Sequence, residues 1–276
     1  MSRKILIVGS SDLESVIAMR FFKAGILALL IDRHPPYDLS HHRSFSTALH
    51  SGKRTLHGML ARALSDVVFH DELDVHAEDE HIINYILQNR EIPILTIEQG
   101  AGLNKVGFDA IIIINFDSYQ NLKPLLKREL PIFILSSAKE YVKNYTYAIS
   151  DRNEDYGAVL YPEYENAVRI SSHTSLKHIN EIKASKSGVI HATVTAGAKV
   201  SKGTEILSID QFPVYSPVDG QISGIMNSGI YVDESVVVAQ IQSGVKQSVQ
   251  YIPPEKRAIA GGFLEAFLYH FNYIDP

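Results

Sequence analysis

The 276-residue chain contains no cysteine. Disulfides, cysteine-ligated zinc, iron–sulfur clusters and thiol catalysis are thereby excluded. Long apolar runs are missing too. The longest, Gly25–Ile31, Ala110–Ile114 and Pro131–Leu135, fall far short of the ~20 residues that a membrane-crossing helix needs. Positive charge is in deficit: 26 Lys and Arg stand against 31 Asp and Glu, a formal net charge of −5. This argues against a protein that grips nucleic acid through bulk charge. The opening residues MSRKILIVGSSD lack the apolar stretch of a secretory leader, because Gly9 and Asp12 interrupt it. The expectation is a soluble, cytoplasmic protein with neither a membrane nor a nucleic acid as partner. With 45% apolar and 21% charged residues the chain can build a core, and its length suits one large domain or two modest ones.

The first half alternates strand and helix signals. Lys4–Val8 is a buried-strand run ending at Gly9, and Ser10, Ser11 and Asp12 offer N-cap chemistry for a helix. Leu13, Val16, Ile17, Phe21 and Ala24 share one face of that helix, and Gly25 ends it. Leu27–Ile31 is a second strand with Asp32 at its carboxyl end, completing a βαβ unit that favours a parallel sheet. Asp109–Asn115 and Pro131–Leu135 are continuous apolar runs, as in strands covered on both faces. Helices are expected over Asp79–Asn89 and Tyr119–Arg128, with a strand at Pro93–Ile97. Ser44–Ser51 suits a short helix, and Arg54–Leu64 one or two strands.

The second half carries a repeat. Gly188 and Gly220 are 32 residues apart, as are Gly197 and Gly229. Ile190 with Ile222, Val200 with Val232, Ile206 with Val238 and Ile209 with Ile241 match at the same offset. Both copies alternate apolar and polar residues around a glycine turn, so a pair of hairpin units is expected to bury their apolar faces on each other. This pattern resembles the barrel-sandwich hybrid of lipoyl and biotinyl domains, with Tyr215-Ser-Pro-Val-Asp-Gly220 at the entry to the second copy. Those domains present a modified lysine in a protruding hairpin. Here that stretch is Asp210-Gln211-Phe212-Pro213, so the fold is expected without lipoyl or biotin attachment. A final helix begins near Pro253 and Pro254 and carries an apolar stripe of Ile259, Phe263, Ala266 and Phe267. The pair Gly261-Gly262 inside it points to a close approach by another backbone or by a ligand.

Candidate chemistry sits at strand ends. Gly9-Ser10-Ser11-Asp12 joins the first strand to the first helix, where backbone amides and the helix dipole favour an anion. Asp32 lies 23 residues beyond Gly9, about where a ribose-binding acid belongs. The G-x-G-x-x-G fingerprint is absent, since Ser11 and Glu14 replace its later glycines, and Glu14 opposes a phosphate. Ser136 and Ser137 put hydroxyls at the carboxyl edge of a strand. Arg152, in the polar turn Ser150–Asp155, is a candidate for pairing with an anion. His41-His42 and the acidic stretch His70–His81 read as surface features, because neither carries metal-ligand spacing. No catalytic residue and no metal site is assigned.

The two ends of the chain together resemble the accessory (maturation) proteins of selenium-dependent molybdenum hydroxylases. That family opens with a strand, then G-A-G-D-(L/I)-A-(S/T), then a helix ending R-A-G-F. Here stand Gly9-Ser10-Ser11-Asp12-Leu13-Glu14-Ser15 and Phe22-Lys23-Ala24-Gly25-Ile26. Arg43-Ser-Phe-Ser-Thr-Ala-Leu-His-Ser-Gly52 follows the second strand where that family has R-R, then V-S-F-A-E-A-V-Y-E-G. Lys256-Arg257-Ala258-Ile259-Ala260-Gly261-Gly262-Phe263-Leu264-Glu265-Ala266 matches A-R-A-I-A-G-G-V-L-E-A. The chain departs from the family at Ser11, at His41-His42, at Ser136-Ser137-Ala138-Lys139 and over Ser150–Gly157. The resemblance implies a divergent member.

The expected fold is α/β: a Rossmann-like parallel-sheet domain over residues 1–165, a barrel-sandwich hybrid over 166–245, and a C-terminal helix over 246–276 packing back on the first domain. The resemblance implies an accessory protein for a molybdenum hydroxylase or its maturation machinery. It would bind a phosphate-bearing cofactor or precursor, a nucleotide or a molybdenum-cofactor species, at Gly9, Ser10, Ser11 and Asp12, with Asp32 and Arg152 assisting. Two other readings stand beside it. One is a nucleotide-dependent oxidoreductase, and the other a non-catalytic interaction protein that forms a homo-oligomer.

Overall fold

The computed structural model describes residues 3–33, 37–67, 79–126, 129–161, 179–243 and 251–274. The chain forms two compact units, one of residues 1–34, 44–174 and 252–276, the other of residues 35–43 and 175–251. Residues 35–43, which chain order alone assigns to the first domain, are therefore grouped with the second unit.

The first unit is a mixed α/β structure. Its strands are β1 (Lys4–Val8), β2 (Leu27–Asp32), β3 (Lys53–Leu56), β4 (Met59–Ala63), β5 (Ile92–Thr96), β6 (Ala110–Ile113), β7 (Ile132–Leu135), β8 (Tyr147–Ile149) and β9 (Val159–Leu160). They form one sheet in the order β3-β4-β5-β2-β1-β6-β7-β8-β9. Pairing is parallel from β4 through β8 and antiparallel at the two edges. The helices are α1 (Asp12–Lys23), α2 (Ala48–Ser51), α3 (Asp79–Gln88), α4 (Leu103–Val106), α5 (Phe116–Leu122) and, from the far end of the chain, α6 (Pro254–His270).

Successive strand residues point to opposite faces, and here both faces are covered. Ile5, Ile7, Leu30, Ile94, Ile112 and Phe133 meet α1 and α6 on one side. Leu6, Val8, Leu29, Ile31, Ile111 and Ile134 meet α3, α4 and α5 on the other. Hence the strands read as continuous apolar runs. Phe267 of α6 packs edge-on to Phe21 of α1 with ring centroids 5.3 Å apart.

Of the glycine pair in α6, Gly262 alone is crowded by backbone. A Cβ there would lie 2.0 Å from the carbonyl oxygen of Gly157, while one on Gly261 would meet only the end of the Arg20 side chain at 3.9 Å. Two expected elements are shorter or shifted. The helix expected over Tyr119–Arg128 starts at Phe116, because Asn115 caps it by accepting from the Ser118 amide, and gives way to a 3₁₀ turn at Lys123–Leu125. Arg54–Leu64 is resolved into the β3–β4 hairpin. Most of the His70–His81 stretch lies outside the described residues; Asp79 and Glu80 occupy the first turn of α3, where the helix dipole favours acids.

The second unit holds β10 (Ile179–Lys183), β11 (Gly188–Ala192), β12 (Lys199–Val200), β13 (Glu205–Ile209), β14 (Phe212–Tyr215), β15 (Gly220–Ile225), β16 (Tyr231–Val232) and β17 (Val237–Gln242). These make two four-stranded sheets, β10-β17-β15-β12 and β14-β13-β11-β16, antiparallel throughout. The 32-residue repeat is visible in the pairing. Gly188 faces Val232 as Gly220 faces Val200, and Ile190 faces Ile209 as Ile222 faces Ile241. The amide of Gly229 donates to the Ile190 carbonyl at 2.8 Å, and that of Gly197 to the Ile222 carbonyl at the same distance. All eight repeat-matched apolar residues lie in one buried cluster.

Tyr37 and Leu39 pack on that cluster from the 35–43 segment. The Ile225 amide donates to the Leu39 carbonyl at 2.9 Å, and His41 Nδ1 lies 3.0 Å from the Ile225 carbonyl oxygen. His41 and His42 are thus half-buried in a 3₁₀ turn, edge to face at 6.0 Å, rather than the exposed pair expected. Among the described residues no helix is long and apolar enough to cross a membrane.

Candidate functional site

The chain runs from β1 outward to β2 and β5 on one side and returns to β6, β7 and β8 on the other. The carboxyl ends of β1 and β6 therefore flank the point where strand order reverses, the usual ligand position in an open parallel sheet. A shallow depression of about 500 Å³ lies there, lined by Glu14, Ile114, Asn115, Phe116, Asp117 and Tyr141. The rings of Phe116 and Tyr141 are 5.3 Å apart at its wall.

The β1–α1 loop enters this region through Gly9, whose φ of +116° favours glycine. Its amide donates to the Ile31 carbonyl at 2.8 Å. Ser10 and Ser11 do not cap α1 with their hydroxyls, as expected from sequence. Ser11 stands at the N-cap, but its hydroxyl donates to the carboxyl of Glu14, and that of Ser10 to Asp32 Oδ2 at 2.8 Å. Nearby carboxyl groups compete for these two donors. Ser15 turns its hydroxyl back to the Ser11 carbonyl at 2.7 Å and accepts the Phe45 amide at 2.8 Å, which brings the Arg43–Gly52 motif to α1.

Glu14 is the least expected group here. It is only 3% exposed. Its carboxyl folds back to its own amide and to Ser11, and a Cβ on Gly9 would lie 2.2 Å from Glu14 Oε1. Burial pushes its pKa up to about 8, and the negative charges of Asp32 and Asp12 add to the shift. Asp12 pairs with Lys256 of α6, so the K-R-A-I-A-G-G segment closes on the same helix terminus.

Asp32 is 5% exposed and engaged within the protein. Oδ2 accepts from Ser10, and Oδ1 accepts from Ser118 Oγ at 2.7 Å and from the Arg33 amide at 2.8 Å. Gly9, Ser10, Ser11, Asp12 and Asp32 are thus brought together. Ser136 and Ser137 form a separate group with Asp151, two strands from β1 in the sheet order. Ser136 Oγ donates to Asp151 Oδ1 at 2.7 Å, the Ser137 amide reaches the same atom at 3.2 Å, and Ser137 Oγ donates to Oδ2. Arg152 is exposed on the following turn, its amide donating to Ser150 Oγ at 3.3 Å.

Ser118, Phe116, Tyr141 and Asp151 were not legible as site residues. Only Asn115, an N-cap residue type at the end of an apolar run, carried a usable signal. Among the described residues no group of three or more His, Asp or Glu side chains is placed to hold a metal ion.

No protein-family model matches the chain. It is similar to the uncharacterized protein YqeB of Escherichia coli (strain K12), at 23% identity over 277 residues, which covers 96% of this chain. The chain spans 47% of that relative's length, about half of it. Among solved structures, a putative epimerase from Bacteroides thetaiotaomicron aligns over 49% of this chain and 47% of its own, at 11% identity and a TM-score of 0.24. An aspartoacylase family protein from Mesorhizobium loti aligns over 88% and 86%, at 9% identity and a TM-score of 0.25. The product-bound ectoine utilization protein EutE from Ruegeria pomeroyi aligns over 87% and 85%, at 9% identity and a TM-score of 0.23. Scores this low assign no activity.

Proposed function

We propose that this chain is an accessory or maturation protein for a selenium-dependent molybdenum hydroxylase, acting by binding rather than by catalysis. The observation that carries this reading is convergence. Segments matched to that family from opposite ends of the chain meet at the start of α1, through Asp12 with Lys256 and Ser15 with Phe45. Gly157, between β8 and β9, packs against Ala258 and Gly262 in the K-R-A-I-A-G-G run.

The first unit is read as Rossmann-like, supported by its parallel order and the reversal between β1 and β6. The second is read as a barrel-sandwich hybrid without an attachment lysine, supported by the repeat-matched pairing and by the tight turn at Asp210, whose φ is +52°. A nucleotide-dependent oxidoreductase is opposed by two groups. Asp32 already accepts three hydrogen bonds, and Glu14 sits where a pyrophosphate would approach Gly9. The Glu14 carboxyl against Gly9 also weighs against a phosphate-bearing cofactor held by its phosphate at Gly9–Asp12. A docking role for the second unit is supported by Phe212 and Tyr215, 57% and 53% exposed on the edge strand β14.

The test is deletion of the coding gene in the native host, with assay of every molybdenum hydroxylase present. Loss of hydroxylase activity, restored by the wild-type gene and not by Gly9→Asp, is expected. Unchanged activity in the deletion strain rejects the reading.

A further inference from the structure

We propose that a cavity between α5 and the β7–β8 connection binds a small hydroxylated aromatic carboxylic acid, its ring substituent on Tyr119 and its carboxylate between Lys123 and Lys143. This goes beyond the accessory-protein reading and does not depend on it.

The cavity follows from how β7 joins β8. The two strands are parallel neighbours, and a parallel crossover ordinarily lays an α-helix across the sheet. Here residues 136–146 make the crossing with one 3₁₀ turn, Ser136–Ala138. A space of about 800 Å³ remains beside α5, within the range of small-molecule sites. Ile111 of β6, Ile132 of β7, Val142 of the connection, and Leu126 and Leu130 beyond α5 give it apolar walls. Its lining shares only Tyr141 with that of the crevice between β1 and β6.

Tyr119 is the group that points to a ligand. It is 8% exposed, and burial pushes its pKa above the usual tyrosine value. Its hydroxyl has no hydrogen-bond partner among the described residues. A buried phenol ordinarily finds one. The oxygen is not fully sealed by protein, so it opens on the cavity that Tyr119 lines. A hydroxyl donates and accepts, so a hydroxyl on the ligand can complete it.

The rim sets the charge. Lys123 and Lys143 form no ion pair with a described residue, and Glu129 is the one acid in the described lining. One positive charge is left over, which matches a monoanion. No arginine fork and no helix N-terminus lies in the described lining, so the donors that a phosphate collects are missing and a carboxylate suits the rim better. The rings of Tyr119 and Tyr141 among aliphatic side chains favour an aromatic body, through the offset and edge contacts that rings prefer.

The experiment is an NMR titration of the isotope-labelled whole chain with 4-hydroxyphenylacetate, phenylacetate and 4-hydroxyphenylacetamide. Wild type is expected to bind the first about tenfold tighter than either of the others, with resonance shifts centred on α5 and residues 141–144. Tyr119→Phe removes the preference for the ring hydroxyl and keeps that for the acid over the amide. Lys123→Gln with Lys143→Gln does the reverse. Because the Tyr119 hydroxyl has no partner to lose, Tyr119→Phe is expected to melt no lower than wild type. The wild-type comparison needs no variant: absence of binding up to about 10 mM, no preference among the three probes, or shifts centred elsewhere overturns the proposal. So does either preference surviving its own variant, or a clearly lower melting temperature for Tyr119→Phe.

Discussion

Ser118 Oγ donates to Asp32 Oδ1 at 2.7 Å, joining the helix that follows β6 to the end of β2 over the terminus of β1. Ser118 is fully buried and Asp32 is 5% exposed, so water cannot replace the lost donor without opening the loop. Ser118→Ala is expected to destabilise the first unit by about 1–3 kcal/mol. Urea unfolding followed by circular dichroism measures it, and a loss below about 0.5 kcal/mol would show that the bond is dispensable.

Glu14 makes stability depend on pH in an uncommon direction for a carboxyl. Its pKa rises from an ordinary 4.5 to about 8 in the folded chain. Between those values the unfolded chain has released the proton and the folded chain has kept it, so raising the pH favours unfolding. Its contribution is complete below 4.5, declines through this window, and is gone above about 8. Glu14→Gln stays neutral throughout. It is expected to match wild type near pH 4.5 and to exceed it above pH 8, by on the order of 3–5 kcal/mol. Denaturant midpoints of both proteins at pH 5 and 8.5 test this, and parallel curves would reject it.

The two adjacent glycines of α6 should part company under substitution. Gly262→Ala drives a methyl into the Gly157 carbonyl and Ile149, and is expected to cost about 3 kcal/mol or more. Gly261→Ala meets only Arg20, a flexible chain end, and gains about 0.5–1 kcal/mol of helix propensity. Melting temperatures of the pair decide it; equal shifts of one sign would contradict the packing described.

Ile190 and Ile222 hold equivalent places in the repeat and both are fully buried. Ile190→Ala and Ile222→Ala are each expected to destabilise the second unit by about 2–5 kcal/mol, and by similar amounts. Hydrogen exchange at the strands that carry them measures this, and a marked imbalance would show that the two halves pack differently.

Much of the layout could be read without coordinates because it rests on local periodicity. Buried strands announce themselves as unbroken apolar runs, and Lys4–Val8 and Ile132–Leu135 lie where such runs place them. Gly188 and Gly220, with their partners Val232 and Val200, carry the repeat at one fixed spacing, and backbone pairing obeys it. Caps were less faithful. Ser10 and Ser11 have the right residue type and place for capping, but nearby carboxyls take their hydroxyls.

The sequence by itself determined the strand and helix pattern of the first half, the paired hairpins of the second, and the exclusion of cysteine chemistry. Tertiary structure alone decided that Glu14 turns back onto Gly9, that Asp32 faces Ser118 from 86 residues away, and that Asp151 engages Ser136. It also grouped residues 35–43 with the second unit. The reason is physical. Periodicity is written in neighbours three or four residues apart, whereas a hydroxyl or carboxyl chooses among whatever partners the folded chain brings within about 3 Å, and strand order settles which those are.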